Sequence, residues 1–179
     1  MRTSQLKSTD YAPYYANYVS LLNDGDLVEE LEISVHDFIR FVQDIPMDKH
    51  DYRYAPGKWT IKDIIQHLID TERIFAYRAL CFSRNDQTQL PGFDESSYAE
   101  NTNANARHLK DMLTEMALVR QSTIALYKTF SEELLERKGI ASENAITVGA
   151  LGFMIIGHQK HHEKIFRERY LTEEYVHEA

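Results

Sequence analysis

Three histidines near the carboxyl end of the chain have the spacing and setting of metal ligands. They stand in GHQKHHEKIF, residues 157–166, directly after VGALGFMII, which contains no charged residue. Steps of four, three, four and three residues, the spacing of the inward stripe of a bundle helix, connect Leu151, Ile155, His158, His162 and Ile165. His158 and His162 are therefore predicted to face the core, whereas His161 lies about 100° around the helix, on its flank.

Two inward histidines four residues apart have two interpretations. Side chains at this spacing are neighbours on a helix, so both imidazoles can bind one cation, as the histidines of an HExxH helix bind zinc. The alternative is a pair of structural histidines, each hydrogen-bonded within the core. Such a pair needs two separate partners, or the rings repel each other when both are protonated. The spacing alone leaves both interpretations open.

A third ligand is expected from a facing helix, and the stretch DIIQHLIDTER supplies His67. Its apolar surroundings fit a histidine buried at the edge of the core, and they fit equally a histidine on the flank of a helix. If His67 joins the other two, three imidazoles with an open fourth position describe a catalytic metal site rather than a closed structural one. The remaining histidines have no matching partner and are expected at the surface or at helix ends: His36, His50, His108 and His177.

Helices must position these histidines, because four stretches of the chain show helical periodicity. They cover about residues 26–44, 60–84, 103–131 and 147–170, and a shorter segment, residues 11–22, is predicted to be helical as well. No stretch alternates convincingly enough for a sheet. The predicted fold is all-α: a four-helix bundle with a short extra N-terminal helix, in a single domain covering residues 1–179. The connection RNDQTQLPGFDESSYAEN is long enough to be a crossover, and loops of this length are often functional.

The composition argues against several classes of protein. The net charge of −8 does not suit a nucleic-acid partner, which needs a basic surface. The sequence shows no basic amphipathic segment, no signal-peptide core and no uncharged run of bilayer length. Cys81 is the single cysteine, which excludes an internal disulfide and a cysteine-based zinc cluster. We therefore expect a cytoplasmic protein with neither a membrane nor a nucleic-acid partner.

The chain resembles the DinB superfamily of metal-dependent enzymes, also called YfiT-like. The resemblance is carried by YAPGKWTIKDIIQHLIDTERIFAYRAL, LPGFDESSYAEN and GHQKHHEKIFRERY, and DYAPYYANYVSLLNDGDLVEEL is similar to the start of one subgroup. It implies an up-down-down-up four-helix bundle, one divalent metal bound by three histidines, and frequent homodimers. The family's histidine on the second helix falls on His67, and those of its HxxxH motif fall on His158 and His162.

One position departs from the family pattern. Relatives often have an acidic residue after the first histidine of the motif, where this chain has Gln159. The chemistry can therefore differ even if the metal site is kept. Asp63 and Asp70, four residues before and three after His67, are further candidates to support the ligands, since either could orient an imidazole N–H. Asp63 suits better the acidic residue of a helix start.

The expected function is that of a metal-dependent enzyme acting on a small molecule, by thiol (S-)transferase or hydrolase chemistry, because both occur among the proteins that the chain resembles. Neutral imidazoles suit several divalent metals; zinc or nickel is expected, with iron or manganese as alternatives. Such an ion can activate water or polarise a thiolate, for instance that of a low-molecular-weight thiol. The alternative is a non-catalytic, stress-related bundle that binds a metal or a ligand.

Trp59, just before the second stretch, and three residues within that stretch remain unassigned or are expected to be structural. Trp59 is expected to anchor the core where the helix starts, and Cys81 to be a small buried hydrophobic residue. Glu72 and Arg78 fit either the core or the surface.

Overall fold

Four long α-helices form the frame of the molecule, which confirms the predicted all-α bundle. The computed structural model describes residues 1–172. The helices in this range are α1 (Ala16–Val19), α2 (Leu27–Gln43), α3 (Ile61–Ser83), α4 (Glu95–Asn101), α5 (Leu109–Tyr127), α6 (Glu132–Glu136) and α7 (Val148–Ile165). The bundle consists of α2, α3, α5 and α7. The predicted N-terminal helix is the short α1, and a π-helical turn, Phe166–Tyr170, extends α7.

Three of the long helices begin at side chains that the sequence marks as caps. Asp26, Thr60 and Thr147 accept hydrogen bonds from backbone N–H groups in the first turns of α2, α3 and α7. Thr60 and Asp63 form a capping box, in which Asp63 Oδ2 accepts the Thr60 N–H at 2.9 Å. These caps satisfy backbone donors that have no partner inside the helix.

Two pairs of neighbouring helices, α2 with α5 and α3 with α7, run antiparallel, and one contact in each pair shows this. Both α2 and α3 pack against α5 and α7, so α2 and α3 are diagonal to each other. Glu32, near the start of α2, pairs with Lys128, just after the end of α5. His67, near the start of α3, contacts His162, near the end of α7.

The other two pairs of neighbours run parallel. Arg107, just before α5, donates a hydrogen bond to Gln66 near the start of α3, so the connection of residues 84–108 is the predicted crossover. Ser34 of α2 contacts Gln159 of α7, and the next turn of α2 contacts residues that follow Gln159 in the chain. The helices α2 and α7 therefore run in the same direction. The resulting order is up, down, down, up, as the family resemblance implies.

A small antiparallel sheet is a difference from the predicted fold. It consists of β1 (Lys138–Ala141) and β2 (Asn144–Thr147), with Lys138 opposite Thr147 and Ala141 opposite Asn144. Ser142 and Glu143 form the two-residue turn with positive φ angles of 50° and 65°, as in type I′ hairpins. Strands of four residues alternate too briefly for the sequence pattern to identify them.

A layer of polar side chains divides the core into two apolar clusters. One cluster includes Leu31, Phe82 and Leu151, and the other includes Phe38 and Ile65. The buried polar side chains between them are Ser34, His67, Glu72, Arg120, His158, Gln159 and His162. Buried polar groups are costly unless they are paired, so this layer is where a function is to be sought. Within the described residues, no helix is long and apolar enough to cross a bilayer.

Candidate metal centre

Three imidazoles meet in the polar layer, although they come from two helices. His67 lies on α3, and His158 and His162 lie on successive turns of α7. The three side chains are buried, and one ligand nitrogen from each lies within 4.8 Å of the other two. His158 Nε2 is 2.9 Å from His67 Nε2 and 3.0 Å from His162 Nε2. His161 is half-buried on the flank of α7, as the helix geometry predicts.

The contacts among these rings fit a shared cation better than a hydrogen-bond network. A neutral imidazole nitrogen carries either one hydrogen or one lone pair. His158 Nε2 therefore cannot make a well-directed hydrogen bond to both of its neighbours. His162 Nδ1 is buried and has no hydrogen-bond partner among residues 1–172. Three converging nitrogen lone pairs are a donor set that zinc and related divalent metals bind.

The surroundings keep the three rings neutral, which is the form that binds metals. Burial lowers the pKa of His67 to about 4. Burial, followed by the neighbouring imidazoles, holds the pKa values of His158 and His162 well below the usual value. Desolvation disfavours the charged form of each ring, which favours the neutral imidazole near neutral pH.

Residues beside the histidines orient and cover them. Thr71 Oγ1 lies 3.4 Å from His67 Nδ1, one turn further along α3. The Trp59 ring centroid is 4.9 Å from that of His67. Trp59 is half-buried and packs against the second apolar cluster where α3 starts, as predicted, and it also covers an edge of the histidine cluster.

The N-terminal segment covers another part of the cluster. The Tyr18 ring centroid lies 5.4 Å from that of His158 and 5.3 Å from that of His161. Gly157 permits this approach, because a Cβ atom there would lie 2.7 Å from the Tyr18 carbonyl oxygen. The glycine directly before the histidine motif was a sequence signal of a close contact. The sequence did not indicate which segment makes that contact.

Neither predicted acidic candidate orients His67. Asp63 accepts hydrogen bonds from Thr60 and Asn105 and pairs with Arg53, so it serves the helix start, as its position favoured. Asp70 accepts a hydrogen bond from the Gln66 amide. Within the described part of the chain, the side chain next to His67 Nδ1 is instead a threonine.

Gln159 belongs to a buried network directly beside the histidines. Its Oε1 accepts a hydrogen bond from Arg120 Nη2 at 3.0 Å, and its Nε2 donates to the Ser34 carbonyl at 2.7 Å. Arg120 also binds both carboxylate oxygens of Glu72, at 2.8 and 3.0 Å, and donates to Ser34 Oγ and the Leu31 carbonyl. These contacts use all five N–H donors of the guanidinium. Glu72, undecided from the sequence, is therefore a buried ion-pair partner.

Arg120 was missed by the sequence analysis. It is 1% exposed, and a spacing of four, three and four residues connects Met116, Arg120, Thr123 and Tyr127, which are all buried. That spacing was a detectable signal. Val119, which is only half-buried, belongs to a competing apolar stripe on a neighbouring face, because apolar residues lie on several faces of α5.

Two clefts approach the histidines from different sides. One, of about 280 Å³, is lined by Trp59 and His162 among others. The other, of about 210 Å³, is lined by His158 together with Tyr18 and Arg78. The crossover separates them, since its Ser96 lines the first cleft and its Glu95 the second. The length of this connection suggested such a role.

Apart from His161, the other histidines of residues 1–172 lie away from the cluster. His36 and His108 are exposed, and His108 precedes α5 without making a side-chain cap bond. His50 is half-buried, and its Nε2 lies 3.1 Å from the Ile45 carbonyl oxygen. These placements agree with the predicted surface and helix-end positions. His177 lies outside the described residues.

Comparison with known proteins identifies relatives of this bundle. A family model of the DinB superfamily matches residues 30–165. YfiT from Bacillus subtilis, described as a probable metal-dependent hydrolase with an unusual four-helix bundle topology, has a TM-score of 0.65 and 19% sequence identity, covering 79% of this chain and 84% of that chain. A DinB-like protein from Bacillus subtilis has a TM-score of 0.57 and 16% identity, covering 87% of this chain and 95% of that chain. A comparison with curated proteins found no match.

Proposed function

Because this chain belongs to the DinB superfamily, we propose that it is a metal-dependent enzyme that acts on a small molecule. The observation that carries the proposal is the convergence of His67, His158 and His162, whose ligand nitrogens lie within 4.8 Å of one another in a buried layer. The description of YfiT as a probable metal-dependent hydrolase supports the same class of function.

His67, His158 and His162 would hold one divalent cation, each through one ring nitrogen. Zinc or nickel is the expected ion, and iron or manganese would also accept imidazole ligands. When bound, the ion supplies Lewis acidity to a substrate oxygen or sulfur atom.

The chain's own side chains would prepare the site for this ion. Thr71 lies beside His67 Nδ1 and can fix the orientation of that ring, as outer hydrogen-bond partners of metal ligands do. Trp59 and Tyr18 cover two edges of the cluster and limit the access of water. The network of Arg120, Glu72 and Gln159 holds α7 in register with the other three helices.

An open ligand position favours catalysis over a purely structural metal. In the described part of the chain, the group of potential ligands consists of the three histidines, with no carboxylate or thiol added. Clefts reach both His158 and His162. Three protein ligands with access for another molecule are typical of catalytic sites. We therefore propose hydrolysis or S-transfer from a small thiol, rather than non-catalytic binding.

Metal analysis of purified variants tests the proposed site. His162→Ala should lose the ion, which wild-type protein should hold at about one per chain, while its helical circular dichroism spectrum persists. His36→Ala, which changes an exposed histidine on α2, is the matched control and should keep the metal. Full metal content in His162→Ala, measured by inductively coupled plasma mass spectrometry, would refute the assignment.

Activity is tested separately, on protein loaded with zinc, nickel, iron or manganese. A panel of small esters and amides tests hydrolysis, and low-molecular-weight thiols mixed with electrophiles test S-transfer. Turnover in the wild type and its loss in His162→Ala would support an enzyme. Stoichiometric metal without turnover across the panels would favour the non-catalytic alternative.

A further inference from the structure

Arg78 is a buried cation without an anionic partner in the described chain. It lies on α3 and is 3% exposed. Its Nη2 donates to the Pro91 carbonyl at 2.9 Å and to Ser142 Oγ at 3.1 Å. Both acceptors are neutral, and no ion pair with Arg78 occurs within residues 1–172. This differs from Arg120, whose charge is balanced by Glu72.

The remaining donors of the guanidinium are available to a ligand. Both hydrogen bonds of Arg78 use Nη2, and residues 1–172 provide no hydrogen-bond acceptor for its Nε or Nη1. Within this range, the fully enclosed side-chain nitrogen and oxygen atoms that lack a hydrogen-bond partner belong to Thr3 and His162. The Nε and Nη1 atoms of Arg78 are therefore not fully enclosed, and Arg78 lines a cleft. A buried charge is costly unless it is paired.

The open space beside Arg78 is the cleft of about 210 Å³ that also reaches His158. Arg78, Phe75 and Thr71 line it from one face of α3, and Tyr15 and Phe93 contribute aromatic walls. The Oγ atom of Thr71 contacts His67, so the same face of α3 leads from the unpaired guanidinium to the histidine cluster.

We propose that Arg78 binds the carboxylate of a small organic substrate whose reacting end lies towards His158. The placement of the reacting end towards His158 rests on the proposed function, whereas the carboxylate site itself does not depend on a metal. A guanidinium binds a carboxylate through paired N–H donors. The lining contains no second lysine or arginine among the described residues, as a phosphate would favour, and its aromatic walls suit an apolar body. Its one carboxylate among these residues is Glu95 of the crossover, which forms no ion pair with Arg78 and therefore leaves the guanidinium to a ligand.

Calorimetric titration of the full-length protein with benzoate tests this site, and benzamide is the neutral control of the same shape. Chelator-treated protein is used first, so that the carboxylate cannot bind a metal. Benzoate should bind at least tenfold more tightly than benzamide. Arg78→Gln should remove that preference, and Arg78→Lys should keep part of it. Arg84→Gln, which changes an exposed arginine just after α3, should bind benzoate as the wild type does.

A structural role of Arg78 is separated from ligand binding by a second variant. Phe93→Glu leaves Arg78 in place and adds a carboxylate from a half-buried position of the cleft, so it should abolish benzoate binding while the melting temperature changes little. Equal affinity for benzoate and benzamide in the wild type would overturn the proposal. So would unchanged benzoate affinity in folded Arg78→Gln or Phe93→Glu.

The two proposals fail separately. Metal-free His162→Ala should still prefer benzoate, because His162 does not line this cleft. Wild-type protein that binds benzoate through Arg78 but takes up no metal would refute the proposed function and leave the carboxylate site intact. Stoichiometric metal without a preference for benzoate would do the reverse.

Discussion

At the scale of single residues, Gln159, which follows the first histidine of the motif, has a defined role. Its amide oxygen faces the Arg120 guanidinium, and its amide N–H group donates to the Ser34 carbonyl. One buried guanidinium is already balanced by the carboxylate of Glu72. A neutral side chain that both accepts and donates therefore completes this network.

Gln159→Glu should destabilise the protein. The new carboxylate would add a second buried negative charge beside one guanidinium and would leave the Ser34 carbonyl without its donor. We expect the free energy of unfolding to fall by about 2–3 kcal/mol, measured by urea denaturation. Gln121→Glu, at an exposed position of α5, is the matched control and should change stability little. Equal stability of the two variants would contradict the assigned network.

The histidines also predict how stability depends on pH in metal-free protein. Burial lowers the pKa of His67 to about 4 in the folded state, whereas an unfolded histidine titrates near 6.5. The unfolded chain therefore binds more protons between these values, and the free energy of unfolding falls as the pH falls. The contribution of His67 across this window is up to about 3 kcal/mol.

Denaturation of chelated protein at pH 7 and pH 5 measures this effect. His67→Ala should show a smaller loss of stability between the two pH values than the wild type, and His36→Ala should show the wild-type loss. Bound metal should oppose the loss, because it competes with protons for the same nitrogens. A pH dependence unchanged in His67→Ala would show that this ring is not buried and neutral.

At the scale of elements, the hairpin is held against α3 by a position that has no room for a side chain. A Cβ atom at Gly139 would lie 2.0 Å from Phe82 Cδ1, and Phe82 is buried in the core. Gly139→Val should therefore displace the strand or the ring and cost about 1–3 kcal/mol. Thermal denaturation measures this, with Ala145→Val on the exposed side of β2 as the control. A neutral Gly139→Val variant would contradict the close packing.

The same hairpin connects element packing to the cleft. Its turn presents Ser142, whose Oγ accepts a hydrogen bond from Arg78, while Ser142 N donates to the Leu90 carbonyl. The small sheet thereby ties the crossover to α3. An element that the sequence pattern did not identify thus fixes the position of the arginine proposed to bind substrate.

At the scale of the whole molecule, we expect a homodimer, as the family resemblance implies. Ile33 on α2 and Leu118 on α5 are 53% and 60% exposed, on two helices that pack together. Sedimentation velocity at micromolar concentration should give about twice the chain mass of 20.9 kDa. The double change Ile33→Glu and Leu118→Glu should weaken association, and Tyr77→Glu on α3 is the control. A wild-type species with the mass of one chain would contradict the prediction.

Much of the bundle was predictable because helix formation depends on nearby residues. The predicted stretch 26–44 became Leu27–Gln43, and 60–84 became Ile61–Ser83, since the caps Asp26 and Thr60 stand within three residues of the N–H groups they bind. The prediction was poorer for α5, which begins at Leu109 and not near residue 103, because a 3-10 turn at Ala104–Ala106 precedes it.

The sequence by itself determined that His158 and His162 share one face of a helix, because residues four apart are neighbours whatever surrounds them. Only the tertiary structure decided that His67, 91 residues from His158, reaches the same point. It likewise decided that Arg120 pairs with Glu72 across 48 residues and that Arg78 has no such partner among residues 1–172. The physical reason is that side-chain neighbours within a helix follow from its pitch, whereas contacts between helices depend on their order, direction and rotation in the packed core.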